Sequence, residues 1–255
     1  MDLALAIETL RREGSRMAEA AAAGGLDAAV PTCPGWQLRD LVAHTSGVHR
    51  WATTYVREAR TAPIDADEEA AIMRPPGDAD LLAWFGDGHC ALVDALAAAP
   101  ADLQCWSFLP APSPLAFWAR RQAHETGIHR ADAESVRGPI TPFTPAVAAD
   151  GIDELLRAFL VRPKTRLRTD PPRRLMVAAA DTGDRWRVTI GPDPVRTERR
   201  AGPVGSGTDA DCWLRGTASD LLLLVWNRSP GTGVEIGGDR SLLDLWARAA
   251  QVRWS

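Results

Sequence analysis

The chain has 255 residues, of which 45% are hydrophobic; this fits a globular protein of two domains that needs no metal or disulfide in order to fold. Its net charge is −4, Lys164 is its only lysine, and no basic stripe is present, so a nucleic acid is not the expected partner. No stretch approaches the roughly 18 apolar residues that span a membrane, and the N-terminus has no signal-peptide core, so we expect a cytoplasmic protein.

The first half of the chain has the periodicity of long helices, interrupted by proline and glycine. The repeat of apolar residues predicts four helices, over residues 3–23, 37–59, 80–98 and 115–134. The first ends at Gly24-Gly25, a typical C-cap, and Pro34-Gly35 precede the second. Four helices of this length favour a four-helix bundle, to which we assign residues 1–146.

The second half of the chain has a different pattern. A helix is predicted over residues 144–159, and further helices over 218–226, with Thr217 as its N-cap, and over 241–252. Short strands are predicted at residues 175–180, 186–190, 195–199, 212–215 and 234–236. The first two strands flank Asp181-Thr182-Gly183-Asp184, which is typical of a hairpin turn. Residues 147–255 are therefore predicted to form a small α+β domain.

All five histidines lie within the first 129 residues, so a metal site must belong to the helical half. His124 and His129 are five residues apart, about 500° of helical rotation, and so point in different directions. Glu125 and His129 are four residues apart, share a helix face and can bind one ion. Asp132, three residues after His129, could orient that imidazole, although a solvated helix end is the alternative.

The predicted helix over residues 37–59 offers a third ligand. His44 follows two apolar residues and is expected to face the bundle interior, whereas His49 precedes an arginine and is expected at the edge. Together, His44, Glu125 and His129 would leave one coordination position open, as in catalytic zinc sites. Iron or nickel would suit the same ligands. Since such spacing also occurs on helices that bind no metal, ordinary hydrogen-bonded histidines remain an alternative.

Two motifs resemble a known enzyme family. Residues 30–44, in which CPGW is followed by RDLVAH, look like the opening of the mycothiol-dependent maleylpyruvate isomerase family, a branch of the DinB-like metalloenzymes of actinobacteria. Residues 117–134, with the pattern RxxHExxxHRxDAE, resemble the family's second motif, and residues 181–186 and 221–228 are similar to its C-terminal domain. The resemblance implies an α+β fold, with a DinB-like four-helix bundle followed by a small sterol-carrier-like α/β domain that closes the active site.

The same resemblance implies a metal and a thiol. It assigns the metal to His44, Glu125 and His129, and it implies mycothiol, a low-molecular-weight thiol, as the cofactor. Zinc with an open position would bind the thiol and lower its pKa, so that a thiolate attacks a small electrophilic substrate. Addition followed by elimination would isomerise a maleylpyruvate-like acid from cis to trans, and a stable adduct would mean S-transfer.

A substrate carboxylate needs a cationic partner, and arginine suits it well. The candidates beside the ligand helix and in the second half are Arg120, Arg121, Arg130, Arg215 and Arg228. Because the family places its active site between the two domains, the resemblance favours Arg228 as the catalytic or anchoring residue. The neighbouring Asn227 stands where relatives often have glycine.

Two other functions stay open. A DinB-like zinc hydrolase would use the same metal without a thiol, and a non-catalytic regulatory or binding protein would keep only the scaffold. The complete set of three ligands favours an enzyme over the second alternative. The sequence reveals neither the substrate nor the oligomeric state, and it does not distinguish an isomerase from an S-transferase.

Overall fold

The computed structural model describes residues 1–202 and 210–252. The chain forms two compact units, Met1–Thr141 and Pro142–Ser255. The first unit is helical, and the second combines a sheet with helices. The predicted α+β class, with a helical N-terminal part and a small sheet-containing C-terminal part, is therefore confirmed.

The first unit, all of whose residues are described, contains four long helices and a short one. They are α1 (Leu3–Gly24), α2 (Leu38–Glu58), α3 (Ala66–Met73), α4 (Asp78–Ala98) and α5 (Pro114–Glu134). The long helices match the four predicted ones, and their ends follow local chemistry. The side chain of Asp2 accepts a hydrogen bond from the N–H of Leu5, and Gly25 ends α1 with a φ of 82°. Ser113 caps α5, with Pro114 in its first turn.

The short helix α3 is not predicted by the sequence pattern. Its residues are all described and none is buried, so the helix has no apolar face from which it could be recognised. Its local signal is the N-cap, where the side chain of Asp65 accepts a hydrogen bond from the N–H of Glu68.

The four long helices pack as a bundle, in which α1 contacts α4 and α5, and α2 contacts the same two helices. The buried core that they share includes Met17, Leu38, Leu41, Leu81, Phe85 and Ala133. By length and composition alone α4 could cross a membrane, since its mean hydropathy is 1.2. No segment of this kind is predicted from the sequence, so α4 is an exception to that prediction. Leu81, Phe85, Leu92, Val93 and Leu96 of this helix are buried, and the helix packs against α1 and α2, as the core helix of a bundle does.

Three α-helices lie within the described residues of the second unit. They are α6 (Pro145–Glu154), which continues as a π-helical turn (Leu155–Phe159), α7 (Ala218–Val225) and α8 (Ser241–Ala249). Thr217 is confirmed as the N-cap of α7, since its side chain accepts a hydrogen bond from the N–H of Asp220. α7 is buried along nearly its whole length and packs against α6. The last predicted helix, residues 241–252, ends earlier, at Ala249.

The described part of the second unit contains a five-stranded sheet. Its strands are β1 (Arg173–Ala179), β2 (Asp184–Ile190), β3 (Arg196–Ala201), β4 (Cys212–Gly216) and β5 (Glu235–Gly238). The order is β3–β2–β1–β4–β5, and β1 and β4 are parallel while the other neighbours are antiparallel. The predicted hairpin joins β1 to β2, and Gly183 in its turn has a φ of 74°. All five predicted strands are confirmed, with small shifts at their ends.

Candidate metal centre

Helices α2 and α5 bring three side chains of metal-binding type together. One nitrogen or oxygen atom from each of His44, Glu125 and His129 lies within 4.8 Å of the other two. Nε2 of His44 is 3.4 Å from Oε1 of Glu125, and Nε2 of His129 is 3.2 Å from the same oxygen. The two imidazole rings are 5.1 Å apart and nearly perpendicular, at 83°. The three residues that the sequence analysis selected are thus neighbours in space.

This donor set fits one divalent cation. In a tetrahedral site with bonds of about 2.1 Å, the donor atoms lie about 3.4 Å from one another, which is close to the separations from Glu125 to the two histidines. Three protein ligands leave a fourth position open. The side chain of His44 is 21% exposed, against 7% for Glu125. The cluster is therefore reached from the side of His44, whose ring packs edge-on against Trp36 at 5.2 Å.

His129 is held from behind by a buried carboxylate. Its Nδ1 is 2.9 Å from Oδ2 of Asp132, and the hydroxyl of Thr32 donates to Oδ1 of Asp132 at 2.6 Å. With Nδ1–H donating to Asp132, Nε2 keeps its lone pair for a cation. Thr32 lies 100 residues from Asp132 in the chain, so no local signal in the sequence could reveal its contribution.

Glu125 is held by a buried guanidinium. Nη2 of Arg121 donates to Oε2 of Glu125 at 2.7 Å, and Arg121 is 1% exposed. The other carboxylate oxygen, Oε1, faces the two histidines. One oxygen of Glu125 therefore accepts a hydrogen bond from Arg121, while the other faces the position that a cation would occupy.

The electrostatics of the cluster follow from these contacts. Burial alone would raise the pKa of Glu125, but Arg121 and hydrogen bonds from His129 and His44 hold that pKa well below its usual range. Burial lowers the pKa of His129, but hydrogen bonds to Asp132 and Glu125 outweigh it and raise that pKa to about 9. A protonated His129 next to an ionised Glu125 is the arrangement that a bound cation would replace.

His49 is not at the edge of the bundle, and that prediction is wrong. The residue is fully buried, and its Nε2 is 2.8 Å from Oγ1 of Thr126. Arg50, the next residue, lies over the ring of Trp84 at 4.2 Å. Because successive helix residues point about 100° apart, the charge of Arg50 says nothing about the direction of His49. Burial lowers the pKa of His49 well below its usual value, so its imidazole is neutral.

The remaining two histidines lie outside the cluster of three. His124 is buried on α5 and is not among the residues whose ligand atoms converge, within the described part of the chain. His89 is buried on α4, with its Nε2 3.3 Å from the carbonyl oxygen of Arg11. Its ring occupies the space beside Gly14, where a Cβ would lie 2.3 Å from the imidazole. His89 is therefore a packed core residue.

Three of the five arginines proposed for a substrate carboxylate are paired with carboxylates of the chain: the buried Arg121 and Arg130, and the exposed Arg215, which lies 3.8 Å from Glu235. Arg121 contacts Glu125, and Arg130 donates from Nε to Glu13 and from Nη1 to Glu134, both at 2.7 Å. The spacing of four residues between Arg121 and Glu125, and between Arg130 and Glu134, is the signal that could have identified these pairs.

Arg228 lies in the second unit, directly after α7. It is half-buried, and its Nη1 donates to the carbonyl oxygen of Trp226 at 2.9 Å. Asn227 has a φ of 59°, in the left-handed region that asparagine and glycine adopt most readily. The backbone conformation at this position therefore suits the asparagine and would equally suit a glycine.

The comparisons with known proteins agree with this architecture. Residues 7–134 match the mycothiol maleylpyruvate isomerase N-terminal domain, and residues 146–245 match the corresponding C-terminal domain. Crystal structures of a mycothiol-dependent maleylpyruvate isomerase and of a histidine-to-alanine mutant are each 13% identical, with TM-scores of 0.62 and 0.64 and 93% of both chains covered. No curated protein matches significantly. The chain belongs to the mycothiol maleylpyruvate isomerase family.

Proposed function

We propose that the protein is a metal-dependent enzyme that uses mycothiol to attack a small electrophilic substrate. The observation that carries the proposal is the convergence of His44, Glu125 and His129 within 4.8 Å, with Arg121 and Asp132 holding two of them. Two imidazoles and one carboxylate favour zinc. Family membership supports mycothiol as the thiol. We also propose a cytoplasmic location, since free-thiol chemistry needs a reducing compartment.

The residues of the chain set up this chemistry. When bound, a divalent cation with an open position supplies a thiolate near neutral pH by lowering the pKa of the thiol that it binds. Arg121 keeps Oε2 of Glu125 occupied, which leaves Oε1 for the cation. Asp132 accepts from Nδ1 of His129, which directs Nε2 to the same point. The partial exposure of His44 leaves an approach for a thiol and a substrate.

Arg228 is our choice for the substrate carboxylate. Its half-exposed guanidinium can form two parallel hydrogen bonds to a carboxylate, a geometry that lysine does not reproduce. Arg228→Gln should raise KM or lower kcat for an acidic substrate and leave bound metal unchanged. Arg215→Gln, an exposed arginine of the same unit that lies 3.8 Å from Glu235, is the matched control. If Arg228→Gln and Arg215→Gln are both as active as the parent, Arg228 has no role in the reaction.

Metal analysis of single variants tests the site. His44→Ala, Glu125→Ala and His129→Ala should each lose most of the bound zinc while circular dichroism shows the helical fold intact. His89→Ala, which removes a buried histidine outside the cluster, should keep a full equivalent. If all three ligand variants retain one metal ion per chain, the assignment is wrong.

A thiol assay tests the reaction. The zinc-loaded protein is incubated with mycothiol and a panel of electrophiles, including a maleylpyruvate-like cis acid. A trans product with the thiol recovered means isomerisation, and an S-conjugate means transfer; either supports the proposal. Turnover without any need for the thiol would establish the DinB-like hydrolase instead. A metal-loaded protein that converts nothing and binds no thiol would be the non-catalytic scaffold, and the proposal would fall.

A further inference from the structure

We propose that the second unit has its own binding site for a compact organic anion with two or more negative charges, at the end of the π-helical turn. This site involves none of the proposed metal ligands. Its ligand class is a small di- or tricarboxylate or a phosphate ester, which share the chemistry of several closely spaced oxyanion charges.

The first observation is a cationic pocket. A cavity of about 270 Å³ lies between the segment that follows α6 and the end of α8. Among the described residues, four basic side chains and no acidic ones line it. The basic residues are Arg162, Lys164, Arg166 and Arg248. Phe159 and Leu160 supply an apolar part of the wall. Four like charges around one small cavity are unexpected in a chain whose net charge is −4.

The second observation is that these four charges are not paired within the described part of the chain. Among residues 1–202 and 210–252, none of the four side chains forms an ion pair or a side-chain hydrogen bond. Other arginines of the same unit do pair, as Arg157 does with Asp153, at 3.2 Å. Unpaired like charges that line one cavity repel one another, and a multivalent anion is the simplest group that would reverse this repulsion.

The third observation is the local backbone. The N–H of Leu160 reaches the carbonyl oxygen of Leu155, five residues earlier, at 2.9 Å. Such π-helical turns are rare and are frequently found at functional sites. This one places Phe159 against the ring of Trp226, at 6.2 Å, with Leu160 beside it in the wall of the pocket. An unusual backbone geometry and an unpaired cationic cluster thus coincide in one place.

Size and charge define the ligand. The cavity is slightly smaller than the roughly 300–1,000 Å³ that is typical of ligand pockets, so the ligand has to be compact. A monocarboxylate would leave most of the positive charge unneutralised. The apolar wall formed by Phe159 and Leu160 can accept a short carbon skeleton between the charged groups.

Calorimetry at low ionic strength tests the proposal, with citrate and inorganic phosphate as probes and acetate as the monovalent comparison. Citrate or phosphate should bind at one site per chain, and Arg162→Gln and Arg248→Gln should each weaken binding at least tenfold. Arg196→Gln, which removes an exposed arginine of β3 outside the pocket, should bind as the parent does. If Arg196→Gln weakened anion binding as much as the two pocket variants do, the effect would come from net charge alone and the proposed site would be wrong. Unchanged binding by both pocket variants, or no binding of either probe, would also overturn the site.

Melting curves separate a binding role from a structural one. Without an anion, the two pocket variants should melt at or above the parent's temperature, because each relieves repulsion between unpaired charges. Adding citrate should raise the melting temperature of the parent more than that of the variants. A lower melting temperature for the variants without anion would mean that these cations serve the fold, and the proposal would fail. The metal content of the two variants, measured before citrate is added, should equal that of the parent, so this test is independent of the proposed enzyme function.

Discussion

Two polar clusters are built around the same helix, α5, and they differ in how their charges are satisfied. In the open cluster, His44 and His129 both face one oxygen of Glu125. In the closed cluster, Arg130 lies between Glu13 and Glu134. In both clusters a buried carboxylate is paired with an arginine, Glu125 with Arg121 and Glu13 with Arg130, yet only in the open cluster does a second carboxylate oxygen face two imidazoles. A buried carboxylate therefore indicates a metal site only where neighbouring side chains, such as the two imidazoles here, can also direct lone pairs toward the same point.

Burial supports the same distinction. Arg130 and Glu13 are 0% and 1% exposed, and the guanidinium also donates to the carbonyl oxygen of Thr141 at 2.6 Å. In the open cluster, the side chain of His44 is 21% exposed. The closed cluster pairs its buried carboxylate with the guanidinium of Arg130, whereas the open cluster offers its donor atoms to a cation that approaches from His44.

The largest expected effect is the loss of the buried arginine in the closed cluster. Arg130→Gln leaves Glu13 buried with only the part-exposed Arg12 as its partner, at 3.0 Å. Breaking a buried ion pair costs about 3–5 kcal/mol of the free energy of unfolding, and the lower end applies here because Arg12 remains. Chemical denaturation measures the loss. Below the melting temperature, the variant should still bind one equivalent of zinc.

The double variant Glu13→Gln/Arg130→Met is the control for this prediction. It removes both charges, so it should recover part of the stability that Arg130→Gln loses. If Arg130→Gln instead abolished zinc binding in a folded protein, the closed cluster would belong to the site, and the contrast between the two clusters would not hold.

Much of this architecture follows from the sequence, because periodicity and helix caps are local. The four long helices, the five strands and Thr217 as the N-cap of α7 are each predicted from the residues that form them. Helical spacing places Glu125 and His129 on one face of a helix, and the family motifs add His44 from another helix. Local patterns are enough where one helix face determines the outcome.

The errors arise where contacts between distant residues decide. The direction of His49 depends on Thr126 of another helix, and the support of Asp132 comes from Thr32 in a loop. The partner of Arg130 is likewise distant, since Glu13 lies 117 residues away, and only tertiary packing brings the two together. Arg121 is a different case, because its partner Glu125 is four residues away and helical spacing alone indicates the pair.

A second, smaller effect is expected from the carboxylate behind His129. Asp132→Asn keeps the shape but removes the charge that holds Nδ1–H, so zinc affinity should fall about 10–100-fold, as for other residues behind metal ligands. Competition with a chromogenic chelator measures it. Glu134→Gln, the same kind of change in the closed cluster, should lower the melting temperature and leave zinc affinity as it is. Equal zinc affinity of Asp132→Asn and the parent would show that this contact does not act on the metal.

The smallest effect, per pH unit, comes from competition between a proton and the metal at His129. Without metal its pKa is raised to about 9, so below that pH zinc has to displace a proton, and the apparent affinity should fall about tenfold per unit as the pH drops. Folding of the metal-free protein depends on pH in the opposite direction. The stability that protonated His129 contributes is complete below the unfolded value of about 6.5 and is lost as the pH rises through about 9.

The metal-free protein should therefore melt at a lower temperature at pH 8 than at pH 6.5, while the increase in melting temperature on adding chelator-buffered zinc becomes larger over the same interval. Thermal melts of both forms across this range measure the two trends. His89→Ala should keep both trends, since His89 lies outside the open cluster. If the melting temperature of the metal-free protein and the increase caused by zinc changed in the same direction with pH, zinc would not displace the His129 proton. Protonation of His129 stabilises the metal-free protein and opposes zinc binding only if the proton and zinc share one site.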